Sequence, residues 1–178
     1  MGHKHTREQI LAGAVAAALE EGISRLTFGR LAKRLAISDR IVVYYFPSKD
    51  ALITAVLVEV GDRLQEGLAV AFAAPATDHL QLARSAWPHL ARPEADPIFG
   101  LFFEAIGLAA SGLEPYRALA TRLIAAWIDW LAEFFEGSPD DRRAEAEAAL
   151  ALIDGLLLIR QLSGPAAADR AAARLGVA

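Results

Sequence analysis

The segment from residue 26 to residue 52, LTFGRLAKRLAISDRIVVYYFPSKDAL, restricts the possible folds more than any other part of the chain. It predicts two short helices and the start of a third, each preceded by a hydroxyl residue: Thr27, Ser38 and Ser48. A hydroxyl oxygen in that position accepts a hydrogen bond from a first-turn amide that has no partner inside the helix. Pro47 ends the middle helix, because proline donates no amide and disfavours helical geometry in the residue before it.

The two complete helices, predicted over residues 28–35 and 39–46, form a helix-turn-helix. In that motif the second helix lies in the major groove of DNA. Val42 and Phe46 lie one turn apart on the second helix, so we predict that they pack inward and leave the opposite face for DNA. The segment therefore predicts a sequence-specific DNA-binding protein.

The charge distribution agrees with DNA binding, although the net charge of the chain is −4. Residues 1–50 contain eight Lys or Arg and five Asp or Glu, a net charge of +3, which leaves −7 for residues 51–178. All three lysines lie in the first of these segments. A basic segment joined to an acidic one presents one face to phosphate and repels DNA from the remainder.

Individual residues of this segment suit two kinds of DNA contact. Lys49 is the best phosphate ligand, because its charge adds to the positive end of the helix that it begins. Arg40 is the best base reader, because arginine pairs bidentately with guanine. We expect Asp39 to complement the helix dipole and to orient Arg40 or Arg30, although it could also accept a proton from cytosine. The predicted DNA-binding residues are Thr27, Lys33, Ser38, Arg40, Ile41, Val43, Tyr44, Tyr45 and Lys49.

Residues 27–35, the Ile37-Ser38 turn and residues 44–52, YYFPSKDAL, closely resemble the DNA-binding domain of TetR-family transcriptional regulators. A leading helix predicted over residues 6–21 matches the first helix of that family in length and placement. The resemblance implies a homodimer that pairs through its last two long helices, binds operator double-stranded DNA and usually represses transcription. Three residues of the recognition helix depart from the family pattern and leave the operator sequence undefined: Arg40, Val43 and Tyr45.

Beyond residue 48 the sequence predicts a helical body. Its high apolar content, 54% hydrophobic residues and a mean hydropathy of +0.30 for the whole chain, suits a protein that buries both a core and a dimer face. Six further helices are predicted, over residues 49–72, 78–90, 96–110, 114–136, 140–162 and 166–175. We therefore expect an all-α protein of about nine helices. Its predicted domains are a helix-turn-helix DNA-binding domain over residues 1–48 and a helical ligand-binding and dimerisation domain over residues 49–178.

The predicted helices 114–136 and 140–162 are apolar around most of their circumference. Because a helix of that kind must be buried on all sides, a second subunit is the simplest source of burial in so short a chain. The alternative is a single, tightly packed monomer. The predicted dimer interface comprises Ala148, Leu152, Gly155, Ile159 and Leu162.

Aromatic residues are dense in the body, and small-molecule pockets are usually apolar with a few polar groups. The predicted effector site comprises Trp87, Phe99, Phe102, Phe103, Glu104, Trp127 and Trp130. The alternative is that these aromatic residues form only core. Binding of a small apolar or cationic effector would swing the helix 49–72 and change the distance between paired DNA-binding domains, which must meet half-sites ~34–36 Å apart.

Other classes of protein are disfavoured. The sequence has no cysteine, no Gly-rich phosphate loop, no G-x-S-x-G and no H-E-x-x-H, so we expect no enzymatic activity, no metal and no cofactor. The polar N-terminus, MGHKHTREQ, and the lack of an apolar stretch of ~20 residues predict a cytoplasmic protein without a membrane partner. Two alternatives stay open: a constitutive dimeric DNA-binding protein without an effector, and a helical protein-interaction module.

Overall fold

A computed structural model of the protein describes residues 5–72 and 74–178. Within these residues the structure is all-α, as predicted, apart from one isolated β-bridge between Ala76 and Phe135. Nine helices are described: α1 (Arg7–Glu21), α2 (Phe28–Leu35), α3 (Asp39–Tyr45), α4 (Lys49–Ala69), α5 (His79–Leu90), α6 (Asp96–Ala110), α7 (Tyr116–Ala132), α8 (Pro139–Ser163) and α9 (Pro165–Arg174).

The chain divides into two compact units. The N-terminal unit comprises Met1–Arg63 and Gly100–Leu119, and the C-terminal unit comprises Leu64–Phe99 and Ala120–Ala178. Three helices, α4, α6 and α7, therefore contribute residues to both units. The functional division into residues 1–48 for DNA and residues 49–178 for ligand and dimer contacts stays a prediction.

In the N-terminal unit, α2 packs against both α1 and α3. Helix α1 begins with the predicted capping box, in which Thr6 and Gln9 cap each other's amides. It ends at Gly22, whose φ of +92° favours glycine. Val42 and Phe46 are buried, which confirms that α3 packs through them. The buried core of this unit includes Ile10, Ala14, Ile23, Leu31, Val42, Phe46, Leu52, Ile53 and Val56.

Two of the three predicted hydroxyl caps are confirmed. The Arg30 amide donates to Thr27 Oγ1 at 3.3 Å, and the Ala51 amide donates to Ser48 Oγ at 3.0 Å. The prediction for Ser38 is wrong, because its hydroxyl accepts no hydrogen bond from the first turn of α3. The Ile41 amide donates instead to the backbone oxygen of Ser38 at 3.0 Å, so the backbone itself closes this turn.

In the C-terminal unit, α8 packs against α5 and α9. Polar contacts also connect α8 to other segments of the unit. Glu145 accepts hydrogen bonds from the amide and from Nδ1 of His79 at the start of α5. The buried guanidinium of Arg160 donates two hydrogen bonds to Asp96, at 2.6 and 3.0 Å. Apolar residues of α5 and α8 form the core between them: Leu82, Ala83, Ala86, Trp87, Leu90, Ile153, Leu156 and Leu157.

Two predicted helices are shorter in the structure. Helix α4 ends at Ala69 rather than at residue 72, and α7 covers Tyr116–Ala132 rather than residues 114–136. At the C-terminal end of both helices, the α-helical hydrogen bonds are replaced by tighter turns, in which an amide donates to the carbonyl three residues earlier. Pro88 lies inside α5 without ending it.

Among the described residues, no single helix is both long enough and apolar enough to cross a membrane. Only α3 and α4 taken together, which are bent by 69° at their junction, meet the condition of length and composition.

Candidate nucleic-acid interface

Helix α3 presents one face to solvent. Arg40, Val43 and Tyr44 are exposed and occupy neighbouring positions on a helical surface, because residues three and four apart lie side by side. Tyr44 is 80% exposed, which is unusual for so large an aromatic side chain. Val42 and Phe46 occupy the opposite, buried face. Two side chains therefore anchor this segment in the core, and three others are accessible to a binding partner.

The two tyrosines of α3 have different surroundings. Their rings meet edge to face, with centroids 4.9 Å apart. The Tyr45 side chain is half-buried, and its hydroxyl donates a hydrogen bond to the backbone oxygen of His5 at 3.0 Å. Tyr44 therefore has the freer side chain, whereas Tyr45 is engaged with the start of the chain.

The five basic residues between positions 27 and 49 fall into two groups. Arg34 forms a double hydrogen bond with Glu20, at 2.6 and 2.7 Å, and Arg30 lies 3.6 Å from Glu21. The exposed side chains of Lys33, Arg40 and Lys49 make no ion pair within the described part of the chain. These three unpaired cations are the ones that the sequence assigns to DNA. The sequence analysis did not foresee that Glu20 and Glu21 would neutralise the other two.

Lys49 is the first residue of α4 and is exposed there. The Ser48 hydroxyl caps the helix by accepting a hydrogen bond from the Ala51 amide at 3.0 Å, and the Lys49 side chain takes no part in this cap. A cation at a helix start lies where amide dipoles already favour an anion. Lys49 and the first turn of α4 can therefore hold a phosphate together.

Asp39 does not behave as expected. It makes no ion pair with Arg30 or Arg40 among the described residues, so the prediction that it orients an arginine is wrong. Its Oδ2 lies against α2, only 3.6 Å from where a Cβ on Gly29 would stand. As the first residue of α3 it still complements the helix dipole.

The remaining predicted DNA-binding residues flank this face. Thr27 and Ser38 are exposed, and Ile41 is half-buried on α3. All nine predicted positions lie between residues 27 and 49, on α2 and α3, at the residues that precede these two helices, and at the first residue of α4. The arrangement is a helix-turn-helix with an exposed aromatic and cationic second helix.

The sequence matches a known family over this region. The model of the DNA-binding domain of bacterial regulatory proteins, tetR family, matches residues 10–56, which include all nine positions. These residues therefore match the tetR family, while the rest of the chain lies outside the matched segment. No curated protein matches the chain.

Solved structures of regulators share the fold over nearly the whole chain. A TetR transcriptional regulator from Legionella pneumophila is 21% identical, with a TM-score of 0.67 over 98% of this chain and 97% of its own. A transcriptional regulator from Rhodococcus sp. Rha1 is 20% identical, with a TM-score of 0.73 over 97% and 94%. The multidrug binding protein EbrR, complexed with proflavin, is 23% identical, with a TM-score of 0.66 over 95% and 98%. At these identities the likeness shows a common fold.

The predicted dimer residues lie on α8. Ala148 and Leu152 are half-buried, whereas Gly155, Ile159 and Leu162 are exposed. Leu162 is 78% exposed. The neighbouring Leu158 and the Leu175 side chain beyond α9, which the sequence analysis left out, are large, apolar and exposed as well.

The predicted effector residues are divided between the two units of the protein. Phe102, Phe103 and Glu104 belong to the N-terminal unit, and the others to the C-terminal unit: Trp87, Phe99, Trp127 and Trp130. Trp87 and Phe99 are buried in the core. Glu104 uses both carboxylate oxygens to accept backbone hydrogen bonds from Ile23 and Ser24.

An aromatic cluster forms around the two remaining tryptophans. Trp127 and Trp130 meet edge to face with centroids 5.3 Å apart, and Trp130 also contacts Phe72 and Phe134, at 5.8 and 5.0 Å. Trp127, Trp130 and Phe134 are only half-buried. The sequence analysis missed Phe72 and Phe134, although both lie on apolar stretches near predicted helix ends.

One titratable residue of the C-terminal unit was not predicted from the sequence. Asp154 on α8 is half-buried and makes no hydrogen bond or ion pair among the described residues. Burial raises the pKa of its carboxyl from 3.8 to about 6. A carboxylate without a partner in apolar surroundings is costly, and it favours either protonation or a cation.

Proposed function

We propose that this protein is a TetR-family transcriptional repressor that binds operator DNA as a homodimer and is released by a small apolar or cationic effector. The observation that carries the DNA-binding part is the exposed face of α3, where Arg40, Val43 and Tyr44 are open to solvent. A helix of a helix-turn-helix with such a face is suited to the major groove.

The contacts divide by chemistry. Phosphates are bound by Lys33, Lys49 and the hydroxyls of Thr27 and Tyr44, which fix the position of α3. The Tyr45 hydroxyl, predicted for the same role, donates its hydrogen to the His5 backbone oxygen instead. Arg40 reads a base edge, and Ile41 and Val43 meet thymine methyl groups. The hydroxyl of Ser38 is available to DNA, because no first-turn amide of α3 uses it.

The dimer is supported by the apolar side chains that α8 leaves in solvent. Leu158, Ile159 and Leu162 follow one another along its last turns and are 42, 38 and 78% exposed. Monomeric proteins rarely leave such residues together on the surface. A copy of the same face would bury them and would give the two DNA-binding domains that a two-fold operator requires.

The effector part of the proposal rests on chemistry in the C-terminal unit. The half-buried rings of Trp127, Trp130 and Phe134 offer apolar and stacking contacts, and Asp154 offers a carboxylate without a partner. Aromatic rings favour an apolar or cationic ligand, and a carboxylate without a partner favours a cation; the two tryptophans lie on α7 and Asp154 lies on α8. EbrR, which has a similar fold, is complexed with proflavin, a ligand of that chemistry.

The experiment that tests DNA binding begins with a site selected from a pool of random duplexes, because the operator is unknown. The affinity of wild type, Lys49→Ala and Arg40→Ala is then measured over a range of salt concentrations. Lys49→Ala should weaken binding to every duplex and reduce the salt slope by about one unit for each half-site, since one phosphate contact is lost there. Arg40→Ala should relax the preference at one base pair, a loss of about 1–3 kcal/mol of discrimination.

Arg122→Ala is the matched control, because Arg122 is an exposed cation on α7 outside the proposed interface. It should leave both the slope and the preference unchanged. Two results would contradict the proposal. A wild-type protein that enriches no duplex would point to the alternative of a protein-interaction module, and variants that bind like wild type would show that α3 is not the reading helix.

A further inference from the structure

Helix α6 makes a specific contact with the turn between α1 and α2. Glu104 Oε2 accepts a hydrogen bond from the Ile23 amide at 2.7 Å, and Glu104 Oε1 accepts one from the Ser24 amide at 3.0 Å. All three residues belong to the N-terminal unit, although 80 residues of chain separate Glu104 from Ser24. Two consecutive amides bound by one carboxylate fix both the position and the orientation of the turn.

The residue before the turn is adapted to this contact. Gly22 has a φ of +92°, and a Cβ at this position would lie 2.8 Å from Glu104 Oε2. Any other amino acid would therefore be strained by its backbone and would also push the carboxylate away. The approach of Glu104 to the turn thus depends on glycine for two separate reasons.

The carboxylate is also unusual within its own helix. Glu104 is the only charged residue between Pro97 and Ala110. Burial raises the pKa of its carboxyl, but the hydrogen bonds from Ser24 and Ile23 outweigh burial, so the pKa lies below its ordinary value. The side chain is therefore ionised at neutral pH while it holds the turn.

The turn leads directly to the DNA-binding helices. Leu26 is buried, Thr27 caps α2, and α2 packs against α3. A displacement of residues 23 and 24 would consequently shift the start of α2 and the face of α3. We propose that Glu104 is a positioning residue for DNA recognition, through which α6 sets the placement of the helix-turn-helix.

This inference rests on the proposed DNA binding and adds a site of control to it. Both oxygens of Glu104 are occupied by the turn, so this role is distinct from the predicted contact with an effector. Any displacement of α6 that breaks the two hydrogen bonds would lower the affinity for DNA without touching a DNA-binding side chain.

The test compares Glu104→Ala and Glu104→Gln with wild type on the selected duplex. Ala removes both acceptors and should weaken binding about tenfold, whereas Gln keeps one carbonyl oxygen and should weaken it about threefold. Plots of affinity against salt should stay parallel to that of wild type, because no phosphate contact is lost. In hydrogen exchange, the amides of Ile23 and Ser24 should exchange faster in both variants.

Glu145→Ala is the matched control, because Glu145 also holds a backbone amide, that of His79, but does so in the C-terminal unit. It should lower the melting temperature without lowering the affinity of the folded protein for DNA. The inference is overturned if both Glu104 variants bind DNA as wild type does, or if their losses only match their unfolded fractions. Failure of wild type to bind any duplex would instead refute the proposed function.

Discussion

Adjacent residues of the same type have opposite surroundings on α3. Val42 is fully buried, whereas Val43 is 42% exposed, and Tyr45 is half-buried beside the exposed Tyr44. The type of residue therefore does not decide which side chain meets DNA. The phase of the helix decides it, and that phase is fixed by Val42 and Phe46 in the core.

The burial of Asp154 predicts that the stability of the protein depends on pH. Burial raises the pKa of its carboxyl from 3.8 to about 6, so the folded protein binds more protons than the unfolded chain between these values. The free energy of unfolding should therefore fall as the pH rises through this window, by at most about 3 kcal/mol. Asp154→Asn has no charge to bury, so it should be more stable than wild type above pH 6 and lose that advantage near pH 4.

Urea unfolding of both proteins at several pH values, at one fixed protein concentration, measures this difference. Asp62→Asn is the control, because it is the same substitution at a position on α4 that is exposed to solvent. The expectation fails if Asp154→Asn is destabilising at pH 7, or if its advantage does not depend on pH. Either result would mean that the Asp154 carboxylate is satisfied in the folded protein.

Among the elements, local signals predicted helix starts well. The hydroxyl oxygens of Thr6, Thr27 and Ser48 accept amides as expected, because a cap involves only residues three or four positions apart. The ends of α4 and α7 were predicted less well. Apolar residues continue past both ends, but the Ala76 amide bonds to the Phe134 oxygen at 2.7 Å, a tertiary contact that no local pattern contains.

The same distinction applies to the site. The exposed face of α3 follows from helical periodicity, and so it was predictable from residues 38–49 alone. The contact of Glu104 with Ile23 and Ser24 was not, because it joins positions about 80 residues apart. Glu104 was therefore predicted to belong to the effector site, together with the aromatic residues beside it on α6. For the same reason it could not tell the paired cation Arg34 from the unpaired Lys33.

The exposed apolar side chains of α8 lead to a prediction about dimer formation. If its exposed apolar side chains form the dimer interface, a charge there would be buried without a partner and would dissociate the dimer. Leu162→Glu and Ile159→Glu should therefore sediment as monomers at concentrations where wild type is a dimer. They should also bind a two-half-site duplex more weakly, because the second domain is no longer held in place.

Val70→Glu is a closely matched control for this experiment. Val70 is 79% exposed, almost the same as Leu162, but it follows α4 rather than lying on α8. It should stay dimeric. A monomeric wild type would show that the exposed residues of α8 serve another purpose, and dimeric α8 variants would place the interface elsewhere.

On the scale of the whole molecule, the net charge of −4 opposes contact with DNA. That repulsion is screened beyond about 8 Å at physiological ionic strength, so it is the local arrangement of charge that decides binding. Near α3 the acidic residues Glu20 and Glu21 are held by arginines, which leaves Asp39 as an unpaired acid against the three unpaired cations Lys33, Arg40 and Lys49 among the described residues. An effector that releases DNA therefore need not change the charge of the DNA-binding face, only its placement.

Effector binding is the last expected property, and proflavin is the probe. As a planar organic cation it should bind wild type in the absence of DNA, measured by calorimetry, through ring contacts and the Asp154 carboxylate. Trp130→Ala should weaken binding through loss of stacking, and Asp154→Asn should weaken it about tenfold through loss of the charge. Proflavin should also lower the affinity of wild type for the selected duplex.

Because a planar aromatic cation binds duplex DNA directly, Asp154→Asn is also the control for release. At a given proflavin concentration, effects on the duplex itself are the same for both proteins, so only the difference between them reports an effector. Release from wild type but not from Asp154→Asn supports a ligand-responsive repressor. Equal release from both, or no binding in calorimetry, would remove the cationic effector and favour the constitutive DNA-binding protein, for which Asp154 is only a buried acid that weakens the fold above pH 6.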